Sequence, residues 1–209
     1  VVSVASFDNY HASQIIESIK NQKHVFAEKP LCLTREEMQE IQHVLELNPD
    51  LKLSSNLVLR TNPRFQKIKD EIKTGSLGDI YYLEGDYYWG RIHKFNGWRS
   101  KMDFFSIIHG AAIHMIDLVM WIISERPIEV QAVGNDIATR NTPLKFNSFA
   151  ALLLKFESGI IAKITGNGGC IHPHFHGLKV FGTKTTAIQS LSGAYWLKSS
   201  KNDINQKPI

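Results

Sequence analysis

The 209 residues are 43% hydrophobic and 21% charged, which is the composition of an ordinary globular protein of one large or two small domains. The net charge of +4 comes from scattered lysines and arginines, so we expect no nucleic-acid partner, and the charge fits an anionic small ligand equally well. The two cysteines, Cys32 and Cys170, form no CxxC pattern, which predicts free thiols in the cytoplasm. No apolar run approaches the roughly 18 residues of a membrane span, so we expect no membrane partner.

The first part of the chain alternates short strands with amphipathic helices. Thr34 begins the second helix, and Glu37 three residues later completes a capping box. Short loops between alternating elements are typical of a doubly wound α/β fold, so these residues resemble the back half of a Rossmann-like parallel sheet. The sequence begins inside the first strand, and we expect an upstream segment to be missing. The predicted strands are 1–6, 24–27 and 51–59, and the predicted helices are 10–21 and 34–47.

The rest of the chain has the pattern of an α+β domain. Helices are predicted at 64–73 and 105–123, and the strands between and after them predict a large, mostly antiparallel sheet with helices on one face. The polar residues 201–209 are expected to be loosely held. The predicted strands are 80–89, 128–138, 146–156, 160–166, 178–182 and 185–189.

Two residues are candidates for chemistry. Lys29 follows a predicted strand, at the edge where α/β sheets bind ligands, and it is either a placed cation or a solvated strand end. His114 lies on the apolar helix 105–123, with Asp117 three residues later on the same face. It is either a general base that Asp117 orients or a packed core histidine.

A second histidine pattern stands apart from these two residues. In "CIHPHFHG", Cys170, His172, His174 and His176 alternate, and on an extended segment they would share one face and could bind Zn²⁺. Pro173 argues against a regular central strand. A metal site, a loop beside a substrate or cofactor pocket, and plain loop packing all remain open, and we assign no metal ligand.

Several stretches resemble one family. "HVFAEKPLCLT" with the residues before it, "NPRFQKIKDEIKTGSLGDI", "GAAIHMIDL" and "GLKVFGTKTTAI" are similar to segments of the glucose–fructose oxidoreductase / inositol dehydrogenase (Gfo/Idh/MocA) family. The resemblance covers nearly the whole chain. It implies a cofactor, NAD or NADP, and hydride transfer to or from a carbinol or carbonyl of a sugar, polyol or sugar nucleotide.

The resemblance also implies roles for individual residues. Hydride transfer needs a base for the hydroxyl proton and a group that stabilises the developing oxyanion. His114 is then the base, and Lys29 stabilises the oxyanion and can join proton transfer. The expected cofactor contacts are Ser6, Asn9, His11, Glu28, Lys29 and Pro30. The expected substrate contacts are Asn56, Arg60, Trp98, Arg99 and Asp117.

The domain assignment follows from the same resemblance. Residues 1–55 are expected to be the C-terminal part of a dinucleotide-binding Rossmann domain. Residues 56–209 are expected to bind a sugar-like substrate and to form a homodimer or homotetramer through the large sheet.

The chain departs from the family motif at one important position. Gly110 stands four residues before His114, where the family has an aspartate, and Ala112 replaces the motif glycine. Lys29 and His114 suffice for proton transfer, or the neighbouring His109 contributes, or the protein is a less active relative. Two other functions stay open: a non-catalytic sensor of the same fold, and a metal-dependent hydrolase or lyase built on His172, His174 and His176.

We predict that the 209 residues by themselves bind nicotinamide dinucleotides weakly or not at all. The sequence contains no GxGxxG phosphate-binding loop, since "GNGG" at 166–169 has the wrong spacing. Isothermal titration calorimetry with NAD and NADP checks this expectation, and a micromolar dissociation constant for either would contradict it.

Overall fold

The chain folds into two compact units in the computed structural model, which describes residues 1–198 and 206–209. The division falls between Val58 and Leu59. The sequence placed the boundary slightly earlier, between residues 55 and 56. The functions assigned to the two parts remain predictions.

The first unit is built on three parallel strands. Strand β1 pairs with β2, and β2 pairs with β3, so the order in the sheet is β1-β2-β3. The predicted back half of a Rossmann-like sheet is confirmed, although the third strand is shorter than predicted and gives way to a 3-10 turn at Val58–Thr61. The elements are β1 (Val2–Val4), α1 (His11–Lys20), β2 (Val25–Ala27), α2 (Arg35–Glu46) and β3 (Leu53–Ser55).

Both helices of the first unit follow from local sequence. The apolar face of α1 is buried, with Ile15 and Ile19 fully inaccessible to solvent. At the start of α2, the Glu37 N–H donates to Thr34 Oγ1 at 3.1 Å, and the Thr34 N–H donates back to the Glu37 carboxylate at 3.3 Å. The predicted capping box is therefore formed and fixes the first residue of the helix.

The second unit contains one large sheet. Its strands lie in the order β11-β10-β9-β8-β4-β7-β6-β5, and β4–β7 is the one parallel pair among the described strands of this sheet. The predicted large, mostly antiparallel sheet is confirmed, and β10 and β11 were missed. The strands are β4 (Ile80–Tyr88), β5 (Pro127–Asn135), β6 (Phe149–Phe156), β7 (Ile161–Asn167), β8 (Phe175–Gly182), β9 (Thr186–Ser190), β10 (Gly193–Leu197) and β11 (Gln206–Pro208).

The expectation of a loosely held C-terminal segment is wrong for part of its length. Residues 206–208 pair with β10 as strand β11, and the Ile209 N–H donates to the Ala194 carbonyl at 3.0 Å. This strand could not be predicted because it is three residues long and polar. Residues 199–205 lie outside the described residues.

Two helices belong to the second unit, α3 (Pro63–Lys73) and α4 (Ile113–Ile123). The predicted single helix 105–123 is corrected, because residues 108–112 form a π-helical turn before α4. This turn lies close to strand β7: a Cβ on Gly166 would be 3.0 Å from the Ala112 side chain and 3.3 Å from the Ile107 carbonyl. Among the described residues, no helix has the length and apolar composition needed to cross a bilayer.

The side chains of strand β4 alternate between the two faces of the large sheet. Leu83 and Tyr87 are buried on the face that carries α4, where Gly85 leaves room for Met115. Asp86 lies on the opposite face and accepts hydrogen bonds from Lys163 at 2.9 Å and from Thr165 at 2.6 Å. Successive residues of a strand point to opposite faces, so each side chain of β4 is assigned to one environment.

The loop after β4 passes close to the segment that precedes β8. Gly90 has a φ of +59°, and a Cβ there would lie 1.8 Å from the His172 carbonyl oxygen. Gly75, just after α3, has a φ of +74° with nothing within 4 Å of the same position. Only glycine avoids both the left-handed backbone strain and the clash at residue 90.

We predict that Gly90→Ala destabilises the protein far more than Gly75→Ala. Left-handed backbone strain costs roughly 1–2 kcal/mol at either position, and Gly90→Ala adds a clash that only backbone movement can relieve. The free energy of unfolding, measured with urea for both variants, checks this. Equal losses would show that the Gly90–His172 approach does not constrain the fold.

Candidate active site

Polar residues of the first unit lie side by side at the carboxyl ends of its strands. The Glu28 N–H donates to the Val4 carbonyl at 2.8 Å, and the Asn56 N–H donates to the Ala27 carbonyl at 2.9 Å. The Asn56 side chain then donates to Glu28 Oε1 at 2.6 Å. Because α/β sheets bind ligands at this edge, Glu28 lies where a cofactor contact is predicted. Asn56, predicted to contact substrate, holds the Glu28 carboxylate in place.

A buried histidine connects the two loops at this edge. His11 is 1% exposed, with Nδ1 2.6 Å from the Pro30 carbonyl oxygen and Nε2 3.1 Å from the Ser6 carbonyl oxygen. Lys29 is partly exposed and is joined to Pro30 by a cis peptide bond, while Asn9 is exposed. His11 is thus placed to position the loops, and direct cofactor contact by these residues stays a prediction.

Two residues predicted as substrate contacts pair with each other in the second unit. The Arg60 guanidinium donates to both carboxylate oxygens of Asp117, with Nε 2.8 Å from Oδ2 and Nη2 in contact with Oδ1. The hydrogen bond to Asp117 raises the pKa of Arg60, against the opposing effect of burial. Asp117 is therefore engaged by Arg60, and its predicted role in orienting His114 stays a prediction.

His114 lies among other rings on the helix-bearing face of the sheet. It is 8% exposed, and its ring stacks on Tyr87 with centroids 5.7 Å apart and an interplanar angle of 11°. Two further histidines contact the same tyrosine: His176 on β8, at 4.7 Å, and His174 just before β8, at 5.3 Å. We call Tyr87, His114, His174 and His176 the histidine cluster.

Hydrogen bonding and ring contacts hold the histidine cluster together. His174 Nε2 lies 2.9 Å from the Tyr87 hydroxyl, and the rings of His174 and His176 are 5.0 Å apart. The centroids of His114 and His176 are 6.1 Å apart. The candidate base therefore lies in a polar aromatic pocket lined by groups that can donate or accept protons.

Burial shifts the pKa values of three members of the histidine cluster, Tyr87, His174 and His176. It lowers the pKa of His176 to about 4, with a smaller contribution from neighbouring His174, so His176 is neutral at pH 7. Burial also lowers the pKa of His174 and raises that of the Tyr87 hydroxyl. His176 therefore adds no positive charge beside His114 at pH 7.

The third histidine of the alternating pattern lies on the other face of the sheet. His172 stacks on Tyr88 with centroids 4.2 Å apart, and its Nδ1 is 2.6 Å from the Pro173 carbonyl oxygen. Tyr87 and Tyr88 are neighbours on β4 and face opposite ways, so His172 is held away from His174 and His176. The hypothesis of a metal site on these three histidines is wrong, because the described residues contain no group of three or more His, Cys, Asp or Glu side chains that could hold a metal ion.

Trp98 and Arg99 form a stacked group in the 3-10 turn Trp98–Lys101. The Arg99 guanidinium carbon lies 4.2 Å from the centroid of Trp98 and 5.0 Å from that of Trp89. Stacking holds the plane of a guanidinium while its N–H groups point outward within that plane. The predicted pair is therefore in a form suited to contact a substrate.

Gly110, at the position of the family aspartate, packs against an aromatic ring. A Cβ on Gly110 would lie 3.3 Å from two carbons of the Phe105 ring, so this side of the π turn is filled by an aromatic side chain. The neighbouring His109 ring lies 5.9 Å from that of Phe104. Residue 110 adds no acid to the site.

The principal member of the candidate site that sequence reasoning missed is Tyr87. The signal was available, because alternation along β4 assigns Tyr87 to the same face as Leu83. What the sequence lacked was the β4–β8 register, which pairs Tyr87 with His176.

Two family models match this chain, one in each unit. Residues 65–188 match the GFO/IDH/MocA C-terminal domain, and residues 1–53 match the oxidoreductase family with an NAD-binding Rossmann fold. The chain belongs to the Gfo/Idh/MocA family. The sequence-based resemblance is confirmed.

Individual relatives agree with this family assignment. Myo-inositol 2-dehydrogenase of Thermotoga maritima is 26% identical over 190 residues, covering 88% of this chain and 54% of the relative. The crystal structure of myo-inositol 2-dehydrogenase from Lactobacillus plantarum matches with a TM-score of 0.84 and 23% identity, covering 90% of this chain and 56% of that one.

Scyllo-inositol dehydrogenase from Lactobacillus casei, solved with bound NAD(H) and scyllo-inositol, matches with a TM-score of 0.80 and 22% identity, covering 92% of this chain and 58% of that one. These structures show the shared fold. This chain spans about half the length of the curated Gfo/Idh/MocA relatives it matches.

We predict that His176 makes the protein less stable in mild acid. The unfolded chain binds a proton at His176 below its ordinary pKa of about 6.5, whereas the folded protein binds it only near pH 4. Stability from this group is full above pH 6.5 and declines as the pH falls towards 4.

In His176→Phe the free energy of unfolding should fall less steeply between pH 6.5 and 4, while the curves of variant and wild type stay parallel above pH 7. Urea unfolding at a series of pH values measures both. Identical slopes below pH 6.5 would contradict the expected burial of a neutral His176.

Proposed function

We propose that this chain is part of an NAD(P)-dependent oxidoreductase acting on a carbinol or carbonyl carbon of a sugar, polyol or sugar nucleotide. The observation that carries the proposal is the pair of family matches, one NAD-binding and one C-terminal, along a single chain. The relatives named as inositol dehydrogenases point to a polyhydroxylated ring as substrate.

The first unit fits a role in holding the cofactor. Partly exposed Glu28 and Lys29, with Ser6 and exposed Asn9, lie at the carboxyl edge of parallel strands, and His11 fixes the loops that carry them. The nicotinamide, when bound, supplies the hydride acceptor or donor. We infer no choice between NAD and NADP from these residues.

The proton chemistry is assigned to His114 and Lys29. In the direction of oxidation, a ring nitrogen of His114 accepts the proton of the substrate hydroxyl. The Lys29 ammonium stabilises the negative charge that develops on the oxygen. Neutral His176 beside His114 supports this assignment, because it adds no positive charge that would disfavour the protonated form of His114.

The substrate contacts are Trp98, whose ring face suits the apolar face of a sugar, and Arg99 stacked on it. Arg60 and Asp117 enter the proposal as a pair that supports the substrate contacts of the second unit. Asn56 enters it in the first unit, where it holds the Glu28 carboxylate. Tyr87 and His174 join the substrate site as a hydroxyl–imidazole pair that can hydrogen-bond to hydroxyl groups.

We infer that the protein assembles as a homodimer or homotetramer through the open face of the large sheet. This face carries the ion pair of Lys179 with Glu84 at 2.9 Å and the stacked rings of Tyr82 and Phe181 at 5.5 Å. Such a mixture of aromatic and paired polar groups suits a protein–protein interface. The free thiols of Cys32 and Cys170 are compatible with a cytoplasmic protein.

A second candidate is a non-catalytic sensor that binds the same ligands. The observation that favours it is Gly110, because this position provides no acid to assist His114. It predicts ligand binding without turnover.

We predict that His114→Ala lowers kcat by about 100-fold or more, as expected for loss of a general base. The assay uses the chain joined to a complete cofactor-binding domain and follows the absorbance of reduced nicotinamide with sugars, polyols and sugar nucleotides. The matched control is His43→Ala on the exposed side of α2, which should leave turnover unchanged. Tight cofactor binding without turnover of any substrate would favour the sensor instead.

A further inference from the structure

Strand β5 forms one edge of the large sheet. It pairs with β6 on one side, and no described strand pairs with it on the other. Residues 128–134 are all exposed, among them Val130 at 55% and Val133 at 73%. A long, exposed edge strand is a template for pairing with a further strand, which proteins usually prevent with lysine, proline, bulges or short strands.

Most of β5 lacks that protection. A β-bulge interrupts its pairing only at the start, between Pro127 and Glu129. Residues 129–135 contain no lysine and no proline, and their single charge, Glu129, is paired with Lys155 at 3.8 Å. By contrast, the strand at the opposite edge, β11, is only three residues long. The edge at β5 is therefore open to another strand.

Hydrogen bonds of β6 show which way its backbone groups point. The Gly168 N–H donates to the Ser148 carbonyl at 2.8 Å, and the Phe156 N–H donates to the Ile160 carbonyl at 3.0 Å. Both bonds run towards β7, so the even-numbered residues of β6 direct their N–H and C=O groups to that side. The odd-numbered residues then direct theirs to β5, because the direction alternates along a strand.

The register transfers this alternation to β5. Leu153 of β6 pairs with Gln131, so the odd-numbered residues of β5 are the ones bonded within the sheet. The backbone groups of Val130, Ala132 and Gly134 point away from it. These three residues form the free edge that another strand would meet.

The free edge is self-complementary about Ala132. A two-fold axis at this residue places two copies of β5 antiparallel, since a symmetric dimer uses the same surface twice. The two Ala132 residues then lie opposite each other, and Val130 of each copy lies opposite Gly134 of the other. In this register every N–H and C=O that the three residues direct outwards finds a partner.

Side chains fit the same register. Gly134 lines a pocket of about 320 Å³ on the helix-bearing face, together with the rings of Phe104 and Phe146. A Cβ at Gly134 would lie 2.9 Å from Asn147 Nδ2, so this position of β5 cannot supply a side chain of its own. Val130 of a second copy, opposite Gly134 and on the same face, would cover this pocket.

Charges fit it as well. Glu129 of one copy lies opposite Asn135 of the other, a neutral residue, so no like charges meet directly across the strand pair. Exposed Arg126 comes just before β5, and exposed Asp136, which also contacts Arg140 at 3.4 Å, comes just after it. Antiparallel pairing brings the cation at the start of one strand towards the acid at the end of the other.

We propose that β5 is an interface between two copies of this chain, paired antiparallel about Ala132 so that their large sheets become continuous. The inference goes beyond the proposed function and does not depend on its chemistry. It concerns an edge of the sheet and not its open face. A homotetramer built from two-fold axes needs two kinds of symmetric interface, and the edge supplies one in addition to the open face.

The test uses the two-fold axis itself. Ala132→Lys and Ala132→Glu each place like charges directly opposite one another at the centre of the interface, whereas a mixture of the two variants places opposite charges there. The matched control is Leu191→Lys, at an exposed residue in the turn between β9 and β10, across the sheet from β5. Sedimentation equilibrium of the 209-residue chain measures self-association over a range of concentrations.

We expect the wild type to associate as its concentration rises, and each Ala132 variant to raise the dissociation constant by about fivefold or more. An equimolar mixture of the two variants should restore wild-type association, which also shows that both are folded. Leu191→Lys should leave association unchanged. In the wild type, hydrogen exchange at the amides of Val130, Ala132 and Gly134 should slow with rising concentration.

Further outcomes separate the edge from the open face. Lys179→Glu places a second acid beside Glu84 on the open face. Association that this variant loses and both Ala132 variants retain supports the open face alone and overturns the edge interface. Edge amides whose exchange does not depend on concentration, or a wild type that stays monomeric at millimolar concentration, overturn it as well. None of these measurements depends on turnover, so failure of the proposed function would be seen separately.

Discussion

The alternation of side chains along strand β4 organises the whole second unit. The strand lies inside the eight-stranded sheet, between β8 and β7, so each of its residues is directed either toward α4 or toward the open face. Tyr87 brings His114, His174 and His176 together on one side. Tyr88 holds His172 on the other. A shift of register by one residue would exchange these environments and separate the candidate base from its neighbours.

Local rules explain how much of the fold could be predicted from the sequence. Thr34 and Glu37 define the start of α2 because a capping box depends on residues three positions apart. The π turn before α4 could not be predicted in this way, because its apolar spacing continues that of the helix. Its position depends on the approach to Gly166 on β7, a contact distant in sequence.

The candidate site, like the fold, could be predicted only in part from the sequence. Lys29 and Glu28 could be placed at a ligand-binding edge because strand order in a short α/β unit follows from the sequence. The partnership of Arg60 with Asp117 could not, because both were assigned separately to substrate and their pairing depends on how α4 lies against the turn that precedes α3. For the three alternating histidines, extended geometry suggested a shared face. Pro173 and the start of β8 at Phe175 place them differently.

The Arg60–Asp117 pair has a consequence for how substitutions near this site are interpreted. The Asp117 side chain is 12% exposed, so removal of Arg60 alone would leave a carboxylate largely withdrawn from water with its main donor gone. Removal of Asp117 alone would leave Arg60, whose side chain is 47% exposed, without this carboxylate. Because either single substitution breaks this ion pair, a loss of activity would say little about contact with the substrate. A thermodynamic cycle that includes the double replacement separates the coupling between the two residues from any direct role in recognition.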